Sequence, residues 1–165
     1  MRNALLRTGY RVAYRLLQAV ALVRPPRGRG AKCLLVNRGE VLLVRHTYGP
    51  PEWELPGGGA RRHERVADAM RREVREELGV EVTDAIELGG LRGPGRHGGI
   101  VVGFFAASLA DRALVRPDSI EIAHVAWFDP ARPPQQLGGY AARGLALLGE
   151  SLASRAEDPG SPPRG

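Results

Sequence analysis

The sequence predicts a mixed α/β domain in which helices pack on a sheet. Apolar, β-rich runs occur on both sides of one strongly amphipathic helical segment, and a second helical pattern follows the last run. With 165 residues, of which 43% are hydrophobic and 25% charged, the chain is long enough to bury one real core. We expect the domain at residues 31–149, a basic segment at 1–30 and a disordered tail at 150–165.

The basic segment carries the charge of the chain. Residues 1–30 contain seven arginines and no acidic residue, whereas residues 31–165 contain 17 basic and 18 acidic residues. The net charge of +6 is therefore local, and we expect no specific nucleic-acid partner for the body of the protein. The apolar and arginine spacing at residues 3–23 predicts an amphipathic helix, which the linker "RPPRGRG" follows. This helix can dock on the domain, form a homodimer contact, lie on a surface of anionic lipid, or fray.

Strands are predicted along most of the body. The runs "AKCLLVN" and "EVLLVRH" predict a hairpin, because "NRG" joins them. Further strands are predicted at "VEVTDAIEL", "IVVGFFAAS" and "IAHVAWF", with "GGLRGPGRHGG" as a flexible loop between the first two of these. Residues 138–149 predict a closing helix.

The single cysteine, Cys33, lies in the first apolar run. We expect a small buried hydrophobic residue there, because no internal disulfide can form. The composition fits a reducing cytoplasm. No apolar run approaches the roughly 20 residues that a membrane span requires.

The central helix is predicted from Glu64 to Leu78. Val66, Met70, Val74 and Leu78 recur every four residues, which indicates one buried stripe. Gly79 follows the last of them, where glycine commonly ends a helix.

Three carboxylates share another face of this helix. Glu73, Glu76 and Glu77 are spaced i, i+3 and i+4, so they repel one another unless a cation lies between them. Mg²⁺ or Mn²⁺ suits such oxygen ligands. The glycines at 57–59 allow close approach of backbone to a ligand, and Arg72 can brace a glutamate. These features favour phosphate chemistry, although "RREVREE" alone is also typical of a solvated helix face.

The spacing of these residues resembles the Nudix box. The pattern G-x5-E-x7-R-E-U-x-E-E-x-G-U, in which U is aliphatic, is met in full over residues 58–80. The preceding "LPGG" and the later Trp127 and Phe128 are also similar to the family. The resemblance covers about residues 31–149 and implies the Nudix fold, an α/β/α sandwich around a mixed sheet.

The resemblance further implies Mg²⁺- or Mn²⁺-dependent hydrolysis of a nucleoside diphosphate linked to another moiety. By its motif, the metal ligands are the carbonyl of Gly58 and the carboxylates of Glu73, Glu76 and Glu77, one of which can also act as general base. Arg72 and Glu64 orient the cluster, with Arg72 salt-bridged to a glutamate. Glu121 fits the acid that many members use as base or substrate contact; the alternative is an exposed residue at a strand edge.

Substrate contacts are less defined. The candidates are Arg45, Trp53, Arg61, His63, Arg92 and Arg96, and for each a plain surface or wall role is the alternative. His63 departs from the family, which often has glycine there. The substrate is a nucleoside triphosphate, an ADP-ribose-like molecule or a nucleotide sugar. Two other functions stay open: a nucleotide-binding module without turnover, and a domain tethered to a membrane or partner by its N-terminal helix.

Overall fold

The computed structural model describes residues 28–92, 101–118 and 120–157. The predicted N-terminal helix and Arg96 lie outside these ranges. The elements are β1 (Arg29–Asn37), β2 (Glu40–His46), α1 (Val66–Leu78), β3 (Ile86–Arg92), β4 (Val101–Ser108), β5 (Ile122–Phe128) and α2 (Gly139–Glu157), with a short 3₁₀ helix at Arg112–Leu114.

The described strands form one mixed sheet of five strands in the order β3-β4-β1-β2-β5. β1 and β4 are parallel, and the other neighbouring pairs are antiparallel. The predicted hairpin between β1 and β2 is confirmed. Arg38 and Gly39 close it with φ of 51° and 81°, the left-handed pair that favours a tight turn between twisted strands.

The sheet separates two apolar cores. Along β2, Leu42 and Val44 face a core under α1, whereas Val41 and Leu43 face a core under α2. Successive side chains of a strand point to opposite faces, so a strand that is apolar throughout is covered on both sides. The predicted α/β/α sandwich is confirmed.

Helix α1 follows its predicted stripe. Met70, Val74 and Leu78 are fully buried, and the helix ends at Gly79 with φ of 67°. The N–H of Gly79 donates to the carbonyl of Arg75 at 2.9 Å. This left-handed position explains why a glycine closes the helix.

Three local predictions were wrong. Residues 80–85 are not a strand, because Val80 and Val82 bury their side chains under α1 without pairing to a neighbouring strand. Gly89 to Arg92 are not a loop but the second half of β3, hydrogen-bonded to β4. Helix α2 runs to Glu157, eight residues past the predicted end at 149, so residues 150–157 are helical rather than part of a disordered tail; residues 158–165 lie outside the described ranges.

Cys33 is buried in β1, as predicted. Burial raises the pKa of its thiol to about 12, so the thiol is unreactive at neutral pH. No helix within the described ranges is long and apolar enough to cross a membrane. Cytoplasmic location stays a prediction.

Candidate active site

The segment 53–60, called here the site loop, runs alongside β1 and β2 and precedes α1 in the chain. Backbone hydrogen bonds attach it to β1 and β2 along its length. The pairs are Val44 N–H to Glu54 O, Cys33 N–H to Pro56 O, Ala31 N–H to Gly58 O and Ala60 N–H to Arg29 O, at 2.7–2.9 Å. The loop is therefore held as firmly as a short strand.

Two glycines allow the loop to approach its neighbours closely. Gly57 has φ of 125°, and a Cβ there would lie 2.2 Å from the carbonyl oxygen of Ala31. A Cβ on Gly58 would lie 2.7 Å from the carboxylate of Glu73. The carbonyl of Gly58, the predicted metal ligand, accepts the N–H of Ala31 at 2.9 Å. Its oxygen therefore already accepts one hydrogen bond from β1.

Arg72 connects the loop and the helix. Its side chain is only 11% exposed and forms a two-pronged pair with Glu64, through Nε to Oε1 at 2.9 Å and Nη2 to Oε2 at 3.0 Å. Nη1 donates to Glu73 at 2.7 Å and to Glu76 at 3.1 Å. Nη2 also donates to the carbonyl of Gly59 at 2.9 Å. Arg72 and Glu64 therefore lie where they can orient the cluster.

This network changes the acidity of both main partners. The pKa of Glu64 is lowered to about 2, first because Arg72 donates hydrogen bonds to it and then because the N–H of Arg61 does so. The pKa of Arg72 is raised, chiefly by its bonds to Glu64. Both groups are charged at neutral pH, so the pair is permanent under ordinary conditions.

The three cluster carboxylates differ in surroundings. Glu77 is buried, and its Oε2 accepts the N–H of Gly57 at 2.8 Å. The side chain of Glu73 is 18% exposed and that of Glu76 is 48% exposed. Among the residues that the structure describes, no three His, Cys, Asp or Glu side chains converge closely enough to form a ready metal site. Arg72 binds both Glu73 and Glu76, whereas Glu77 is held by the backbone N–H of Gly57.

The buried member of the cluster shows a deficit of positive charge. The pKa of Glu77 is raised to about 7, mainly by burial. Lys32 and the N–H of Gly57 oppose this rise in pKa. The negative charges of Glu73 and Glu121 add to it, so Glu121 lies near the cluster. A divalent cation among these carboxylates would relieve both burial and repulsion, so the residues fit Mg²⁺ or Mn²⁺.

Lys32, on β1, was missed by the sequence analysis. Its Nζ donates to the carbonyls of Leu55 and Gly57, both at 2.9 Å. It is the only lysine in the sequence and stands in an apolar strand, where a lone charge gives no hint of its partners. The ammonium therefore holds two carbonyls of the site loop, and its positive charge lowers the pKa of the buried Glu77.

Glu54 was also missed. Its carboxylate lies against the first residues of α2, so close to Gly138 that a Cβ there would clash with it, and Oε2 is buried without a hydrogen-bond partner among the described residues. Burial raises its pKa, and Lys32 and nearby backbone N–H groups partly offset the effect. Helix N-termini attract anions, so Glu54 joins the site loop to α2. No spacing of residues in the sequence indicates that Glu54 meets the start of α2.

Arg45 and Trp53 come together beside the loop. The guanidinium of Arg45 stacks on the ring of Trp53 at 4.5 Å, and its Nη2 donates to Gln136 at 2.9 Å. Nε of Arg45 is buried and has no hydrogen-bond partner within the described residues. Trp53 packs edge-on against Phe128 at 5.0 Å. This stacked pair is a polar, aromatic wall suited to a planar group.

The remaining predicted contacts lie on exposed positions. Arg61 approaches the exposed Glu76, with 3.5 Å between Nη2 and Oε1. His63 is exposed and has φ of 66°, the conformation that explains why glycine suits this position. Arg92 is exposed at the end of β3. Arg61 thus contacts the cluster, whereas the described contacts do not connect His63 or Arg92 with it.

Comparisons with known proteins point to one family. A family model described as the NUDIX domain matches residues 26–147. A NAD-capped RNA hydrolase, NudC, from Pseudomonas aeruginosa strain LESB58 is 34% identical over 137 residues, which are 81% of this chain and 48% of the relative. A nucleoside triphosphatase, NudI, from Escherichia fergusonii is 60% identical over 50 residues, which are 28% of this chain and 36% of the relative.

Solved structures share the fold. A MutT NUDIX hydrolase from Burkholderia pseudomallei superimposes with a TM-score of 0.65 at 24% identity, over 73% of this chain and 97% of that one. A MutT protein from Methanosarcina mazei Go1 does so with a TM-score of 0.65 at 20% identity, over 78% and 97%. The chain spans about half the length of the NudC relative.

Proposed function

We propose, because this chain belongs to the Nudix family, that it is a hydrolase that cleaves a pyrophosphate linkage with the help of a divalent cation. The substrate is a nucleoside diphosphate linked to another moiety. The observation that carries the proposal is the joining of Arg72, Glu64 and Glu73 into one network beside the buried Glu77. A solvated helix face would not bury a carboxylate or enclose an arginine.

The metal ligands that we propose are Glu73, Glu76 and Glu77, with the carbonyl of Gly58 as a fourth donor. Mg²⁺ or Mn²⁺ would supply charge neutralisation of phosphate oxygens and a lowered pKa for an attacking water. The carbonyl of Gly58 has a second lone pair beyond the one that accepts from Ala31, so it retains an acceptor site.

The chain's own residues perform the remaining tasks. Arg72 and Glu64 fix the helix face against the site loop, so that the carboxylates keep their spacing when a charged substrate arrives. The proton of the attacking water passes to a carboxylate of this group, which comprises Glu73, Glu76, Glu77 and Glu121. Arg61, at the exposed side of Glu76, is placed to meet a phosphate.

The proposed substrate classes are a nucleoside triphosphate, an ADP-ribose-like molecule and a nucleotide sugar. The names of the relatives NudI and NudC indicate that nucleotides and nucleotide-capped ends are used within the family. Because the stacked pair of Arg45 and Trp53 can hold a planar group, we propose it as a contact for a base or a nicotinamide-like ring.

The test is a product-resolved chromatographic assay with Mg²⁺ or Mn²⁺ and a panel of nucleoside triphosphates, ADP-ribose, nucleotide sugars and dinucleotides. Glu77→Gln should lower the turnover of any substrate by about 10²–10⁴-fold, because a positioned carboxylate is lost. Glu150→Gln is the matched control, since Glu150 lies exposed on α2 and its only described partner is Arg143.

The outcomes separate the alternatives. Turnover by the unmodified protein that Glu77→Gln removes and Glu150→Gln keeps supports the hydrolase. Nucleotide binding without turnover across the panel would support a binding module instead. Equal turnover by all three proteins would overturn the assignment of the carboxylate cluster.

The basic N-terminal segment is proposed as an attachment to an anionic lipid surface. Deletion of residues 1–28 leaves β1 whole, because that strand begins at Arg29. Loss of binding to vesicles containing phosphatidylserine, with turnover kept, supports attachment. Binding that survives the deletion contradicts it.

A further inference from the structure

Strand β3 lies at an edge of the described sheet and carries exposed apolar side chains. Among the described strands it pairs only with β4. Ile86 and Leu91 are 40% and 37% exposed. A sheet edge presents unpaired N–H and C=O groups along its length, so an edge with apolar side chains is suited to pairing with another strand.

A bulge decides which side chains of β3 share a face. Glu87 stands opposite Phe105 and Gly89 opposite Phe104, so Leu88 is an extra residue in the ladder. Phe105 belongs to the core under α1 and Phe104 to the core under α2. Glu87 therefore points to the α1 face, and Leu88 packs against the core under α2.

The second half of the strand continues this alternation. Leu91 stands opposite Val102, which belongs to the core under α2, and Arg92 stands opposite Val101. Neighbouring residues alternate in direction, so Arg92 points to the α1 face. Without the bulge, Glu87 and Arg92 would point to opposite faces, because an odd number of steps separates them.

We propose that β3 pairs antiparallel with β3 of a second copy of this chain, about a two-fold axis at Gly90. Residues opposite each other in an antiparallel pair share a face of the sheet. Leu88 and Gly89 together occupy one position of the ladder because of the bulge. Counted in this way, the register puts Glu87 opposite Arg92 of the other copy on the α1 face. It puts Leu91 opposite the other copy's Leu88 on the α2 face.

Charge and shape both fit this register. Opposite charges on facing positions stabilise a strand pair, and the symmetry makes each such pair occur twice. Gly90 is exposed and lies at the axis, where two backbones without side chains can approach. The strand is therefore complementary to itself, and no second protein is needed to explain its pattern.

The contact is small, which sets the expected strength. One short pair of strands buries less than the roughly 1,200 Å² of a standard interface. We expect a reversible dimer with a dissociation constant in the micromolar range or weaker. No residue of the carboxylate cluster lies in this contact, so dimerisation and hydrolysis can be tested independently.

The test is sedimentation of the full chain over a wide concentration range, with single and paired charge swaps. Glu87→Arg and Arg92→Glu should each weaken dimerisation by at least about tenfold, because like charges then face each other twice. The double variant Glu87→Arg with Arg92→Glu restores opposite charges and should recover the affinity. Glu150→Arg controls for the change of net charge.

Each outcome is decisive. A wild-type chain that stays monomeric overturns the proposal, and leaves the edge to another occupant such as the N-terminal segment. A dimer that ignores both single swaps lies elsewhere on the protein. A double variant that is folded by circular dichroism but fails to recover dimerisation also overturns the register.

Discussion

The two helices of the sandwich use charge in opposite ways. On α1, the side chain of Arg72 is 11% exposed and binds Glu64, Glu73 and Glu76 in one network. On α2, the pair of Arg143 and Glu150 is single, with side chains 42% and 63% exposed. Both helices cover an apolar core, but of these two charge arrangements only the one on α1 is enclosed.

The difference indicates that enclosed charges need fixed partners in this fold, whereas exposed charges do not. An exposed ion pair contributes little, because water competes for both partners. An enclosed arginine must find acceptors for its donors, so its partners are fixed in place. Of the two helices, only α1 holds such an enclosed arginine among the described residues, and it lies beside the proposed chemistry.

The largest effect is expected from Gly57→Ala, which separates the site loop from β1. The added Cβ would lie 2.2 Å from a backbone oxygen at a φ of 125°. Because backbone cannot yield as a side chain can, we expect the free energy of unfolding to fall by at least about 3 kcal/mol. Urea denaturation measures it. Gly59→Ala is the control, since a Cβ there meets nothing within 4 Å; equal losses in both would contradict the argument.

Lys32→Met should have the next largest effect, because it removes the support under the loop without changing side-chain length much. The carbonyls of Leu55 and Gly57 would lose their ammonium donor. Leaving such acceptors unsatisfied costs about 1–3 kcal/mol. Thermal unfolding measures the loss. Recovery in Lys32→Arg would show that a donor is needed, whereas wild-type stability in Lys32→Met would refute the role.

Glu64→Gln tests how the stability contributed by the network around Arg72 depends on pH. The pKa of Glu64 is lowered from 4.5 to about 2 in the fold, so its ionised form stabilises the protein above about pH 4.5. That contribution is lost as the pH falls towards 2. We expect the variant to melt at a lower temperature than wild type at pH 7, with the gap closing between pH 4.5 and 2.

The matched change on the other helix is Glu150→Gln. Its pair with Arg143 is exposed, so we expect a melting temperature close to that of wild type at pH 7. Calorimetry on the three proteins over the same pH series makes the comparison. A gap for Glu64→Gln that stays constant down to pH 2 would contradict the assigned cause of the pKa shift.

Much of α1 could be predicted from sequence because its signals are local. The four-residue repeat of Met70, Val74 and Leu78 indicates which face of the helix is buried. The spacing of the glutamates indicates a second face that carries carboxylates. The partners of Arg72 also follow from the box pattern, since both Glu64 and Glu73 are part of it.

The rest depends on contacts between distant segments. Gly89 and Gly90 are typical of a loop, yet pairing with β4 supplies the hydrogen bonds that their own propensity does not. Val80 and Val82 alternate with polar residues as in a strand, but the fold buries their side chains without pairing their backbone to another strand. Lys32 and Glu54 owe their contacts to the path of the site loop beside β1 and β2, which no short sequence pattern encodes.

The isolation of Lys32 has a practical consequence. Since the sequence has no other lysine, the only primary amines are this side chain and the chain's amino terminus. Two carbonyls occupy the ammonium while the loop is closed. The rate at which a small acylating reagent labels this amine would therefore time the opening of the loop at this one point, without any inserted probe.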